Sequence, residues 1–306
     1  MALLVLCHLL FKKTNGKVGG FVRAILKNKL VRICAAILAA VLLIILILEI
    51  GSKISAAWRP WCPDYEREDI SDFIFSKEFT EDEYALLYRQ TGLTKLGVDR
   101  LVENNQAYRL LELQEQFFEN QEVSYTSFGP YVAYMKRSGK TSERASYTVL
   151  ENGDILYSPS TFFSFIRLGH SSLVVSGKYG IMMQASGYGD PVALLPSDIF
   201  FMRPAFVILR VNTDDETRDA VAEYARKNIR GIEYDLLAGI FGDKAPENLE
   251  KTHCSHMVWY AYSHFGIELD SNGGKIVTPR DILKSENVSV VQVLGVDPES
   301  LNFDRD

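Results

Sequence analysis

The stretch Thr252-His253-Cys254-Ser255-His256-Met257-Val258-Trp259-Tyr260-Ala261-Tyr262 decides the reading of this chain. Apolar residues recur after it at helical spacing, so a helix is expected to start here, with Thr252 as N-cap and Cys254 in the first turn. Exposed amides and the helix dipole favour a thiolate at such a position. The backbone N–H groups of Cys254 and Ser255 are placed to receive an oxyanion. A nucleophile of this kind needs a base within reach. His256 is two residues on and turns about 200° away from Cys254, and the adjacent His253 diverges by about 100°. His264 lies at the far end of the helix. His170, in the strand-like run Gly169-His170-Ser171-Ser172-Leu173-Val174-Val175, is the base that the fold would have to bring in. Gln184, between Met183 and Ala185 in the next strand-like run, is the expected third polar group, orienting the imidazole.

Charge is distributed unevenly. The 306 residues carry a net charge of −6. Residues 1–32 contain Lys12, Lys13, Lys17, Arg23, Lys27, Lys29 and Arg32 and no acid, so the remainder is strongly acidic. That main body has no basic stripe, which argues against a nucleic-acid role. Residues 33–48 are uncharged, and Val31 to Ile50 supplies the ~20 apolar residues that cross a bilayer as a helix. The positive flank precedes this segment, so the N-terminus is expected in the cytoplasm and the rest outside it. The small residues Ser55-Ala56-Ala57 offer a rival reading as a cleaved signal peptide. Cys7 and Cys34 fall in the arm and the anchor, leaving Cys62 and Cys254 on the exported side. Two cysteines make no disulfide framework, and a bridge between them would block the nucleophile.

The expected organisation is a cytoplasmic basic arm (1–30), a transmembrane anchor (31–50), a Trp/Pro-rich linker (51–66), a helical spacer or lid module (67–147), a catalytic domain (148–295) and a C-terminal tail (296–306). Within the module, Thr80-Glu81-Asp82-Glu83 reads as a capped helix start, and Gly92 as its end. From Gly153 the texture changes to short strands over Asp154–Tyr157, Ser171–Ser176, Ile181–Ala185 and Ala205–Val211. A helix from Thr213 to Ile229 follows, then the Cys254 helix. Gly266–Leu269 and Val288–Leu294 read as extended, and Thr278-Pro279-Arg280-Asp281 starts a last helical turn. Strands in succession followed by helices make the class α+β.

The order Gly153-Asp154-Ile155-Leu156, Gly169-His170, Gln184-Ala185-Ser186-Gly187-Tyr188-Gly189, Cys254-Ser255, Val258-Trp259-Tyr260-Ala261-Tyr262, Gly266-Ile267-Glu268-Leu269 and Thr278-Pro279 resembles the permuted NlpC-type papain-like cysteine hydrolases, in their YiiX-like branch. The resemblance covers about residues 148–295. It implies a circularly permuted papain-like core in which histidine precedes cysteine, with Cys254 as nucleophile, His170 as base and Gln184 as third polar residue. Relatives often carry Glu-Leu where this chain has His256-Met257. The chemistry implied is acyl transfer to water without metal or cofactor. The expected substrate is a peptide amide, with cell-wall stem peptides suited to an outward-facing anchored enzyme. Permuted relatives such as lecithin–retinol acyltransferase handle acyl chains, so a lipid-directed thiol hydrolase or acyltransferase is the alternative, with Phe162, Phe163, Phe165 and Ile166 lining an apolar entrance. A catalytically silent wall-binding or scaffold protein on the same fold is the other.

Overall fold

The computed structural model describes residues 29–126, 131–137, 140–141 and 144–301; the expected cytoplasmic arm lies almost wholly outside them. Helix α1, Lys29–Ala56, has 28 residues and so a length of about 42 Å. Its apolar side chains are exposed on all sides, as at Leu38, Leu42 and Ile45. It is long and apolar enough to cross a membrane, a property that anchors and signal sequences share. The helix runs past the expected boundary at Ile50, so the first residues of the expected linker are helical.

Residues 55–306 cluster as a second unit. It begins with α2 (Glu81–Thr91), α3 (Lys95–Glu103) and α4 (Arg109–Phe117). Thr80 and Glu83 form the expected capping box, and Gly92 takes the left-handed C-cap conformation. Ile70, Leu87, Leu93, Val98, Leu101, Leu110 and Leu113 pack into a small core of their own. The expected helical module stops at α4: the strands β1 (Glu122–Tyr125), β2 (Tyr131–Arg137) and β3 (Lys140–Thr141) follow. The alternation in Glu122–Tyr125 is weak, and pairing with β2 overrides its local pattern.

The main sheet is built from β4 (Ile155–Ser158), β7 (His170–Ser176), β8 (Ile181–Gln184), β9 (Ala193–Pro196), β10 (Phe206–Val211) and β13 (Val288–Leu294). Its spatial order is β13-β10-β4-β7-β8-β9, with every neighbouring pair antiparallel. Two short strands, β5 (Thr161–Phe163) and β6 (Ile166–Arg167), leave it to extend the β1–β2 sheet, and β11 (Glu233–Tyr234) pairs in parallel with β12 (Lys251–Thr252). Helices α5 (Asp215–Asn228) and α6 (Cys254–Ser263) pack on β7 and on each other. A last short helix, α7 (Pro279–Leu283), is started by Thr278 and Asp281 in a capping box. The segment Gly266–Leu269, expected to be extended, forms no strand. Mixed α+β architecture is therefore present.

The edge strand β13 is covered by the α2–α3 connection. Val293 donates its N–H to Gly92 O (2.8 Å), and Thr94 donates to Val291 O (3.1 Å). This satisfies an edge that would otherwise offer unpaired backbone groups. On the opposite side of the sheet's energetics, Asp154 is wholly buried and accepts from Arg210 Nε at 2.9 Å and Arg210 Nη2 at 3.0 Å. The Glu151 amide completes its set at 2.7 Å. Arg210 Nη1 also lies 3.2 Å from Glu151 Oε2, so Asp154→Asn breaks a buried two-point bond but leaves Arg210 one acid partner, and it should destabilise the protein by about 2–3 kcal/mol. Urea unfolding of the full chain measures this, and a loss below about 1 kcal/mol would show that the pair is not held out of water.

Candidate functional site

Helix α6 starts at Cys254, but its N-cap is His253 rather than the expected Thr252. His253 is extended (φ −127°, ψ 177°), and its Nδ1 accepts from the His256 amide at 3.4 Å. Thr252 uses its hydroxyl on His256 Nδ1 at 2.9 Å. His256 Nε2 lies 2.8 Å from Lys244 O. A carbonyl only accepts, so His256 carries its proton on Nε2 and accepts from Thr252 at Nδ1. Both ring nitrogens are thus engaged in holding the 244–256 segment. His256 serves the packing of this segment.

Cys254 is half-buried and stands at N1, where the backbone N–H has no intrahelical acceptor. Its sulfur is 4.0 Å from Ser255 Oγ, which donates to Val277 O at 2.7 Å. The amides of Ser171 and Ser255 also bear on the sulfur and favour the thiolate. The Ser171 hydroxyl approaches it too, yet Oγ closes no hydrogen bond. Against these groups, removal of the sulfur from water is larger, and it pushes the Cys254 thiol above its ordinary value. This corrects the expectation of an acidified thiol: burial outweighs the helix terminus. Cys62 is a free thiol that donates to Phe118 O (3.5 Å), and Cys254 is also free, so no bridge blocks the sulfur.

His170 opens β7. The residue before it, Gly169, has φ +69°, a conformation that L side chains avoid. A Cβ there would lie 3.3 Å from Ser158 O and 3.4 Å from Pro279 Cβ, so glycine permits the turn that delivers the histidine. The imidazole stacks on Phe200, with centroids 6.0 Å apart and planes at 22°. Its Nε2 is buried and has no partner. Burial lowers the His170 pKa to about 3, Arg203 adds to this, and a hydrogen bond with Gln184 opposes it. The ring is therefore neutral at physiological pH.

Gln184 ends β8, which pairs antiparallel with β7, so it lies at the same end of the sheet as His170. Its Oε1 accepts from Ser172 Oγ at 3.2 Å, and its Nε2 donates to Ser186 Oγ at 2.8 Å. The start of β7, the end of β8 and the start of α6 thus meet, and with them His170, Gln184, Cys254 and Ser255. Among the described residues no hydrogen bond joins Cys254 to His170. The contact on the sulfur is made by Ser171, the next residue along β7.

Two features escaped the sequence reading. One is Arg203, buried to 5% exposure, with its guanidinium 4.6 Å over the Phe200 ring. A single charge inside Ile199-Phe200-Phe201-Met202-Arg203-Pro204-Ala205 is the signal that marks it. The other is a cavity of about 560 Å³ beside Gly169, bounded by Trp58, Tyr157, Arg167, Arg280 and Leu283. Phe163, Phe165 and Ile166 do not line it. They are exposed in and beside the β5–β6 turn, and Phe162 is buried.

Comparison of the chain with protein-family models, with curated proteins and with solved structures finds no match.

Burial raises the Cys254 thiol and holds the His170 imidazole neutral, so the two do not rest as a thiolate–imidazolium pair. Alkylation of Cys254 by iodoacetamide in the substrate-free protein should therefore keep rising with pH past the ordinary thiol range, about 8.5. Peptide-resolved mass spectrometry separates Cys254 from Cys7, Cys34 and Cys62. A rate plateau reached below neutral pH would demonstrate a preformed thiolate–imidazolium pair and overturn this assignment.

Proposed function

We propose that the chain is a membrane-anchored cysteine hydrolase of amide bonds, of the permuted NlpC-type papain-like kind, acting outside the cytoplasm on peptides such as those of the cell wall. The observation that carries the reading is the meeting of Cys254 at a helix start with the first residues of β7, where His170 keeps Nε2 without a partner. A buried ring nitrogen without a hydrogen bond is costly, and a reacting group supplies what it lacks.

In the proposed reaction His170 Nε2 takes the Cys254 proton as the sulfur attacks the carbonyl carbon. The amides at the start of α6 stabilise the oxyanion. The C–N bond then breaks, and His170 passes its proton to the leaving amine. Water attacks the thioester with His170 as base, releasing the acid and restoring the thiol. Gln184 holds the ring in one orientation, while Ser172 holds Gln184.

The acyl-lipid alternative rests on permuted relatives that handle acyl chains, with Phe162, Phe163, Phe165 and Ile166 as its apolar entrance. The cavity beside Gly169 is lined by neither Cys254 nor His170, and analysis of peptide against lipid products separates the two readings. The net charge of the segment ahead of the apolar helix favours an N-terminus held in the cytoplasm.

Cys254→Ala and Cys254→Ser should abolish hydrolysis of peptide amides by the full chain while leaving its circular dichroism unchanged. His170→Ala should be nearly as damaging, and His253 or His256 variants that remain folded much less so. Gln184→Ala should lower the rate by roughly 10–1000-fold. Activity retained in Cys254→Ser, or a dead His253→Ala beside an active His170→Ala, would refute these roles.

Orientation has its own test. Protease added to intact cells should cut beyond Lys53 and leave the first 30 residues whole. A protected C-terminal region would place the site on the cytoplasmic side instead.

A further inference from the structure

Three arginines are buried in the described chain: Arg203, Arg210 and Arg218. Two are paired. Arg210 makes its two-point bond to Asp154, and Arg218 donates to Val211 O at 3.2 Å and pairs with Asp215. Arg203 is the exception. Among the described residues it makes no side-chain hydrogen bond and no ion pair, and its Nε is buried without a partner. Burial lowers its pKa only to about 10, so it stays charged. The Phe200 ring beneath it offers a cation–π contact but accepts none of the five guanidinium N–H groups in the way an oxygen would.

Its surroundings are those of the site. Phe200 carries Arg203 and also stacks on His170. The guanidinium charge bears on His170, and the Cys254 thiolate in turn favours that charge. An unsatisfied cation of this kind awaits an anion. The planar fork fits a carboxylate at two points. Arg203 is the one cation among the groups that act most strongly on His170, so a single negative charge balances it, whereas a phosphate dianion would remain half-neutralised in a buried place.

We propose that Arg203 is the receptor for a carboxylate on the substrate, so that the amide presented to Cys254 belongs to a residue bearing a free carboxylate close to the scissile bond. The inference rests on the hydrolase reading and narrows its substrate class to acidic or C-terminal peptide positions. It also links binding to reaction. A bound carboxylate offsets the Arg203 field, which adds to burial in keeping a proton off His170, so the imidazole is a stronger base when the site is occupied.

The test uses Cys254 itself, in the full chain in detergent micelles, with iodoacetate and iodoacetamide as probes. Both form a bond from Cys254 Sγ to the same methylene carbon and expel iodide; only iodoacetate carries a carboxylate. Arg203→Gln should lower the ratio of iodoacetate to iodoacetamide rates at Cys254 by about tenfold, the scale of one charge-assisted hydrogen bond. Arg203→Lys, which keeps the charge without the fork, should fall between. In the wild type, N-acetylglycine should slow alkylation by iodoacetamide, and N-acetylglycinamide should not. This arm decides the matter should neither variant fold. An unchanged ratio, an equal fall in both rates (which assigns Arg203 to the thiolate alone) or no protection by N-acetylglycine overturns the proposal. Hydrolysis of peptide amides with an unchanged ratio removes the carboxylate site and keeps the hydrolase. A shifted ratio without hydrolysis of any peptide keeps the site and removes the hydrolase.

Discussion

The packing of α6 on β7 is the contact from which the rest of the candidate site follows. Residues Ser255 to Tyr262 of α6 are all buried, and so are the first six residues of β7. A helix that is apolar around its circumference has no solvent face to offer, so it must be enclosed. Here the sheet closes one side, and α5 and α7 lie against it. Each large side chain buried in this seam contributes on the order of 1.5–3 kcal/mol. The helix therefore cannot shift without exposing much of the core, and the position of its first residue is fixed. Cys254 sits at that end, held against Ser171 by contacts made further along the helix.

The same burial sets the electrostatics. A helix start lowers a thiol pKa, and dry surroundings raise it; at Cys254 the second effect is larger. The histidines respond alike, with His170 and His253 both lowered to about 3. The resting site is thus uncharged except for Arg203. Elsewhere among the described residues Arg210 is paired with Asp154 and Glu151, and Lys244 with the buried Asp270. That contrast gives Arg203 its meaning.

Much of this was legible locally. The Thr80–Glu83 box, the Gly92 stop, β7, β8, β10, β13 and the helix beginning at Cys254 all follow from periodicity and capping chemistry, which act over a few residues. The apolar run ahead of Ile50 also declares itself by length and lack of charge, although the helix extends to Ala56. Other elements did not declare themselves. β1, β5 and β6 are short, and their strand state depends on partners brought from elsewhere. The cap of α6 passed from Thr252 to His253 because Thr252 is occupied by the His256 ring, a contact that involves Lys244 as well.

The sequence by itself determined the residue types of the site and the local elements that present them, because a cap, a strand start after Gly169 and a lone cysteine at a helix start are all short-range facts. Tertiary structure alone decided the rest. It put Ser171 against the sulfur, tied Gln184 to Ser172, reversed the expected direction of the thiol pKa and buried Arg203 with no ion-pair partner among the described residues. Each of these depends on how much water and how many partners surround a group, and that is settled only when distant segments pack together.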